Sequence, residues 1–291
     1  MSKQTPQKAV AVAEHKDVAV PDWVSEIAGD AGAGFEDVGA QDMAMPFFKL
    51  LQSLSPETKR SEPAYIDGAQ EGMWCDAIAK EVFDEIVFVP CKMVTHYIEW
   101  RTRKNGGGMV KNHGTDQALL KTCVVDPETG RNVTREGTEI VPTATWFGLV
   151  IEGTRGGETL ELSKRAVLTL SGTQQKVSRR WVSDAASIRI KGSDGKQFAP
   201  PMFAMTYRLG SAATKNDQGS WFLATVARAG WLLDYPNGRE LFAEAREFGK
   251  LARELQPTVY EQEPETAPRS ESRSRPAPSG DDIYDGPAPP F

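Results

Sequence analysis

Between Gly68 and Gly230 the sequence alternates short runs of β-branched and other apolar residues with turns that contain glycine or proline. Runs of this kind, bounded by turn-forming residues, are typical of antiparallel strands. The predicted strands are Glu85–Val94, Thr95–Arg101, Leu119–Val125, Thr143–Ile151, Glu158–Leu162, Met202–Leu209 and Ser220–Val226. Pro90 lies within the first strand and indicates an edge strand or a bulge, because proline has no backbone N–H to donate. Lys215–Gly219 is predicted to be the turn of a hairpin between the last two strands.

Two segments depart from this pattern and are predicted to be helical. Ser163–Ala186 carries its polar residues at helical offsets, and Gly172 divides it. A second helix is predicted to begin at Asn237–Glu240, which has the form of a capping box, and to run to Leu255 before Pro257 stops it. The predicted fold is therefore mainly β (α+β): a small β-barrel with an internal helix and a closing C-terminal helix. Another antiparallel α+β fold is the alternative, because strand number alone does not distinguish the two.

Composition divides the chain into three parts. Residues 1–42 are rich in Ala, Gly, Val and acidic residues without a sustained period, and they are predicted to form a mobile N-terminal arm. Residues 43–256 are predicted to form one domain. Residues 257–291 are rich in Pro, Glu, Ser and Arg, which predicts a disordered linker and tail. With 291 residues, 40% of them hydrophobic, the chain can bury a sizeable core.

The sequence has no apolar run long enough to cross a membrane and no signal peptide at its start. Its three cysteines are odd in number and form no C-x-x-C pair, which fits a reduced compartment. We therefore expect a cytoplasmic protein without a membrane partner.

Signatures of an enzyme are missing from the sequence. It has three histidines and none of the H-E-x-x-H, G-x-S-x-G or Walker patterns, so we expect neither catalysis nor a cofactor. Zinc remains an open alternative, because Cys91, His96, His113 and Cys123 are ligand types that zinc accepts. Their spacing matches no zinc finger, and buried thiols with surface histidines are the expected arrangement.

Positive charge is concentrated in two segments, although the formal net charge of the chain is −6. The first segment, Lys92–Lys111, holds five Lys or Arg residues against one acid, and two aromatic residues lie among them. Basic residues interleaved with aromatics can follow a phosphate backbone while bases stack on the rings. The predicted nucleic-acid contacts are Tyr97, Trp100, Arg101, Arg103, Lys104 and Lys111. The alternative is that both rings point into the core and the charges only solvate a hairpin.

The second segment, Lys164–Lys196, holds eight basic residues against two acids. If its centre is helical, Lys176, Arg179 and Arg180 share one face through i,i+3 and i,i+4 spacing. Trp181 then lies on the adjacent face, where we expect it to anchor the helix in the core rather than to stack on a base. Three cations without an obvious structural role indicate a surface that faces phosphate. The predicted contacts are Lys176, Arg179, Arg180, Arg189 and Lys191.

The last eleven residues carry three aspartates, no basic residue and a terminal aromatic ring. Through Asp281, Asp282, Asp285, Pro290 and Phe291 this end resembles the acidic tail of bacterial and phage single-stranded DNA-binding proteins. In that family the tip docks on replication and repair proteins, with its phenylalanine in an apolar pocket. The resemblance implies that these five residues bind partners and that the barrel is OB-like. An ordinary solvated terminus is the alternative.

Together these features predict a phage-type single-stranded DNA-binding protein of replication or recombination, located in the host cytoplasm. It is expected to bind without strong sequence preference and to recruit replication or recombination proteins through its tail. Association into a homo-oligomer is compatible with this function. One alternative is a strand-annealing recombination protein that forms rings or filaments. Another is a structural or assembly protein whose basic patch meets an acidic partner.

Overall fold

The computed structural model describes residues 33, 46–102, 105–127, 129–216 and 219–252. The chain divides into two units, Met1–Ala44 and Met45–Phe291, and the elements below belong to the second. Apart from Ala33, the predicted N-terminal arm lies outside the described residues, and so does the predicted linker and tail.

Eleven strands form one large mixed sheet, and two further strands form a separate antiparallel hairpin. The strands are β1 (Phe47–Leu50), β2 (Trp74–Asp76), β3 (Glu81–Phe83), β4 (Glu85–Arg101), β5 (Met109–Asn112), β6 (Val124–Val125), β7 (Asn132–Val133), β8 (Thr138–Arg155), β9 (Glu158–Ser171), β10 (Ile190–Lys191), β11 (Gln197–Phe198), β12 (Met205–Asn216) and β13 (Gly219–Trp231). The α-helices of the described residues are α1 (Gln175–Ser187) and α2 (Gly238–Leu251). Short 3₁₀ turns are Pro56–Thr58, Gln117–Thr122, Gly172–Gln174, Met202–Ala204 and Leu232–Asp234.

The main path through the sheet is β13-β12-β4-β8-β9-β1-β2-β3. Off this path, β5 pairs with β4, while β7 joins β6 to β8. The β1–β9 pair is parallel, and the other pairs of the described strands are antiparallel. The hairpin β10–β11 stands apart from this sheet.

Side chains alternate between the two faces of the sheet along each strand, and each face of the central strands carries its own buried cluster. On β4, Phe88 belongs to the cluster under α1, where its ring meets that of Trp181 edge to face with centroids 5.9 Å apart. The next residue, Val89, belongs to the cluster under α2, together with Phe147 and Phe248. The apolar stripe of each helix therefore packs on one face of the central strands.

The prediction of a mainly β chain is confirmed, whereas the OB-like barrel is unconfirmed. Among the described strands, β13 and β3 end the path without pairing with each other, so the ladder does not close. The sheet also has longer strands than expected, because Glu85–Val94 and Thr95–Arg101 join into one strand. The bulge predicted at Pro90 is present, since the register with β8 shifts between Pro90 and Lys92.

The helix predicted over Ser163–Ala186 is only half right. Its first part is strand β9, and a 3₁₀ turn at Gly172, which has a φ of +55°, separates this strand from α1. The strand predicted over Leu119–Val125 is also wrong in its first part, which is a 3₁₀ turn followed by the short β6. The predicted β12–β13 hairpin is confirmed, and so is a closing helix, which is described from Gly238 to Leu251. The capping box expected at its start is not formed, because the Asn237 side chain makes no cap hydrogen bond, and Leu255 lies outside the described residues. Within the described residues, no helix is both long enough and apolar enough to cross a bilayer.

Candidate functional site

Helix α1 turns three cations away from the core, and we call Lys176, Arg179 and Arg180 the basic ridge. Ser178 and Trp181 are buried, whereas the three cations are exposed. Because each residue turns an α-helix by about 100°, Lys176 lies at the crest and the two arginines lean to opposite sides of it. The predicted sharing of one face by these cations is therefore confirmed.

None of the three ridge cations has a carboxylate within ion-pair distance among the described residues. Arg179 donates from Nη2 to Oε1 of Gln175 at 3.3 Å, within the same helix. Other arginines on the sheet do form ion pairs, such as Arg165 with Glu244 on α2. The positive charge of the basic ridge is thus left uncompensated by its nearest described neighbours.

On one side of α1 lies a cavity of about 450 Å³, which we call the Tyr97 groove. It is lined in part by Thr95, Tyr97, Gln117, Pro142, Gln175 and Arg179. Gln175 fixes α1 against this wall by donating its Nε2–H to the Pro142 carbonyl at 2.5 Å. The fold thereby brings an aromatic residue of the first basic segment and an arginine of the second to one cavity. Tyr97 is only 7% exposed, so it forms part of the wall rather than a projecting platform.

On the other side of α1 lies a second cavity of about 350 Å³, which we call the Arg228 groove. Arg180 and Asp184 of the helix line it, together with Tyr207 of β12 and Thr225 and Arg228 of β13. Burial raises the pKa of Tyr207 above its ordinary value of about 10. Sequence reasoning missed this cavity, because no local signal brings β12 and β13 to the side of α1.

The remaining residues of the first segment lie at the tip of the β4–β5 pair. Trp100 is 37% exposed and lies three positions beyond Tyr97, so strand alternation turns it to the opposite face of β4. Arg101 and Lys111 are exposed, whereas Arg103 and Lys104 lie outside the described residues. The two predicted aromatic contacts therefore do not share one groove.

An acid reduces the positive charge of this tip. Glu99 stands opposite Lys111 in the ladder and accepts hydrogen bonds from Thr138 Oγ1 at 2.5 Å and from His113 Nε2 at 2.7 Å. These two bonds lower the pKa of Glu99 below its ordinary value, so its carboxylate stays ionised further into the acidic range. Glu99 is the one acid already counted in this segment, and its carboxylate lies opposite Lys111, within the cluster of positive charge.

Arg189 and Lys191 follow the C-terminus of α1. Arg189 donates from Nη1 to the carbonyls of Ala186 and Ile188, at 2.7 Å each. These bonds satisfy acceptors that a helix end leaves open, which gives Arg189 a capping role. Lys191 is exposed on the β10–β11 hairpin.

The four possible zinc ligands do not come together. Cys91 lies in the core under α2, where burial raises its thiol pKa. His96 is buried with Nδ1 at 2.8 Å from the Thr145 hydroxyl, whereas His113 pairs with Glu99. Cys123 lies at the end of a 3₁₀ turn, with Sγ 3.6 Å from the Leu119 carbonyl. Within the described ranges, no three His, Cys, Asp or Glu side chains are grouped as metal ligands.

Comparison with known proteins matches the chain to a family of phage proteins. The model of the Pam3 phage gp34-like protein family matches residues 12–256, which include the whole sheet and both described helices and end before the acidic tail. No curated protein matches the chain, and no solved structure matches it. Because the match spans well over half of the sequence, the chain belongs to the Pam3 phage gp34-like protein family.

Proposed function

We propose that the protein binds single-stranded DNA without strong sequence preference, along the basic ridge and the Tyr97 groove. The observation that carries this proposal is the set of three exposed cations on α1, none of which has a carboxylate partner among the described residues. The adjoining groove offers apolar and aromatic wall to bases that are not paired.

In this mechanism the ridge neutralises phosphates, and the released counterions drive binding. The wall of the Tyr97 groove supplies mainly apolar contact, to which the small exposed part of the Tyr97 ring adds, and every base accepts such contact to a similar degree. A duplex keeps its bases paired inside the helix, so it reaches the ridge with its phosphates but cannot fill the groove. Single strands are thus expected to bind more tightly than duplex at equal salt.

The proposal is tested by titrating a labelled oligothymidine and a duplex of equal length with the full chain at several salt concentrations. The triple variant Lys176→Ala, Arg179→Ala and Arg180→Ala should lower the slope of log affinity against log salt by about two units, since each contact with a single strand contributes about 0.7. A matched triple variant at Arg135, Arg155 and Arg239 removes the same charge from other exposed sites.

The matched variant should retain the slope of the wild-type chain. Equal affinity for duplex and single strand would contradict the proposal. So would a ridge variant with an unchanged slope, because binding would then depend on another surface.

We also propose a role for the acidic tail within phage replication or recombination in the host cytoplasm. Asp281, Asp282 and Asp285 would compete weakly with DNA for the ridge, while Pro290 and Phe291 enter a pocket on a partner protein. Removing residues 281–291 should tighten single-strand binding several-fold at low salt, and the gain should fade as salt rises. Removing Phe291 alone should leave DNA affinity unchanged.

Strand annealing is a second candidate function, favoured by one observation on β6, which lies off the main path of the sheet. Val124 and Val125 are 68% and 60% exposed on β6, a strand paired on one side only among the described residues. An exposed apolar edge can pair with another copy, and annealing proteins of the predicted kind act as rings or filaments. Light scattering with and without oligonucleotide distinguishes the two: a large DNA-dependent assembly supports annealing, whereas an unchanged mass supports simple binding.

A further inference from the structure

We infer that the Arg228 groove is a second base-binding site, so that a single strand crosses α1 and places neighbouring bases on both sides of the helix. This inference rests on the proposed function and specifies the path of the DNA. Its ligand is an unpaired nucleobase whose flanking phosphate lies on the basic ridge.

The first argument is the fixed guanidinium of Arg228. Its Nε donates to Oδ2 of Asp184 at 2.7 Å, and its Nη2 donates to Oδ1 at 2.8 Å and to the Asp184 carbonyl at 3.2 Å. Three bonds to one residue hold the planar group in a single orientation, yet 42% of the side chain remains exposed. A guanidinium plane held in this way is a surface on which an unpaired base can stack.

The second argument concerns the charge of Arg180. Arg180 and Asp184 are four residues apart on α1, a spacing at which opposite charges commonly pair. Here the Asp184 carboxylate is engaged by Arg228 instead, and Arg180 has no ion-pair partner among the described residues. The groove therefore offers a planar stacking surface beside an unneutralised cation, as a nucleotide requires.

The third argument is the shape of the site. The cavity of about 350 Å³ lies within the range of about 300–1,000 Å³ that is usual for small-molecule sites. Its inner wall is rigid, because the rings of Trp181 and Tyr207 are buried and meet edge to face with centroids 5.3 Å apart. An α-helix is only about 10–12 Å in diameter, so two grooves along its sides are accessible to neighbouring nucleotides of one flexible strand.

The test uses the full chain with the variant Arg228→Lys, which retains the charge but loses the plane and the paired bonds to Asp184. Its affinity is measured for an oligothymidine and for an abasic oligonucleotide of equal length. The expected result is a five- to tenfold loss of affinity for oligothymidine, in line with the loss of about one stacking contact, and a clearly smaller loss for the abasic strand, because an Asp184 carboxylate held less firmly can pair with Arg180. Arg208→Lys is the matched control, because Arg208 pairs with Glu85 and is 54% exposed; it should change neither affinity.

Each outcome separates the inference from the function on which it rests. If the wild-type chain binds no single strand, the proposed function itself fails. If the wild-type chain binds and Arg228→Lys binds oligothymidine equally well, only the second site is overturned. An equal loss for the abasic strand also overturns it, since Arg228 would then act on phosphate.

A photocrosslink provides a measurement that does not depend on a folded variant. Oligonucleotides containing 4-thiothymidine, crosslinked to the wild-type chain, should label peptides of β13 around Thr225 as well as peptides of β4 around Tyr97. Labelling of β4 alone would contradict a strand that crosses α1.

Discussion

The indole rings of Trp146 and Trp181 stack with their centroids 3.8 Å apart and their planes inclined by 13°. Trp146 lies on β8 and also donates its Nε1–H to the hydroxyl of Ser178 on α1 at 3.0 Å. Ser178 and Trp181 are three residues apart and lie next to each other on the buried side of α1. The ring stacking and the hydrogen bond therefore join α1 to the sheet at one place. The orientation of the basic ridge therefore depends on contacts in the core.

Replacing Trp181 with Ala should lower the free energy of unfolding by about 3–5 kcal/mol, because it removes a fully buried aromatic ring and leaves a cavity. Trp181→Phe should cost less, since it retains one ring against Trp146. Urea denaturation measured at a single pH gives both values. A Trp181→Ala protein with the stability of the wild-type chain would contradict the anchoring role.

Helix α1 also indicates how far sequence alone could lead. The position of Trp181 on the buried side was predictable, because helical spacing is a local property. Strand β9 was not predictable, because its polar residues, such as Lys164 and Arg165, are spaced as they would be in a helix. What holds this segment as a strand is its pairing with β8 on one side and β1 on the other. Propensity is overridden in such a segment by tertiary pairing.

The sequence predicted which cations belong to the candidate site, but not how the fold arranges the grooves around them. The cations of the basic ridge were identified from charge density and spacing. The Arg228 groove depends on an ion pair between residues 44 positions apart, and no local pattern marks it. The 3₁₀ turn after Asp116 did have a local signal, since that side chain accepts from the Ala118 N–H as a helix N-cap does.

Trp100 lies on the face of β4 opposite Tyr97, so it tests whether the bound strand continues beyond the Tyr97 groove to the tip of the β4–β5 pair; if the strand does so, Trp100 should contribute to DNA affinity and not to stability. Its ring is partly exposed at the tip of the β4–β5 pair, beside the exposed Arg101. Trp100→Ala should weaken oligonucleotide binding by about 1–3 kcal/mol, whereas Trp100→Phe retains a stacking surface and should lose less. Anisotropy titrations give the affinities, and thermal melting should be nearly unchanged. A large fall in melting temperature with unchanged affinity would show that the ring is a packing residue.

Stability should fall as pH decreases through the titration of His96. This residue is fully buried, and burial lowers the pKa of its imidazole below the ordinary value of about 6.5. The unfolded chain therefore takes up the proton first, so stability is complete above about pH 6.5 and declines as pH falls toward the lowered folded pKa. Urea midpoints at several pH values should show this slope, and His96→Gln should flatten it. The same slope in His96→Gln would assign the effect to another group.

Two glutamine side chains cover the backbone of β13, the strand that ends the sheet. Gln52 accepts from the Phe222 N–H at 2.9 Å and donates to the Phe222 carbonyl at 3.1 Å. Gln174 donates to the same carbonyl at 2.8 Å and accepts from the Ala224 N–H at 2.9 Å. The two amides thus satisfy groups that a neighbouring strand would otherwise occupy.

Because both amides bond to the Phe222 carbonyl, their contributions should be coupled. Gln52→Ala or Gln174→Ala alone should each cost about 1–2 kcal/mol, since the other amide still satisfies that acceptor. The double variant leaves the carbonyl without either donor and should cost more than the sum of the two, by at least about 0.5 kcal/mol.

The double variant should also self-associate with rising concentration, because the edge of β13 is then open to another copy. Gln70→Ala, at an exposed position, is the control for loss of a glutamine side chain. Additive losses in a double-mutant cycle, together with a monomeric double variant, would mean that the two glutamines act as independent surface contacts.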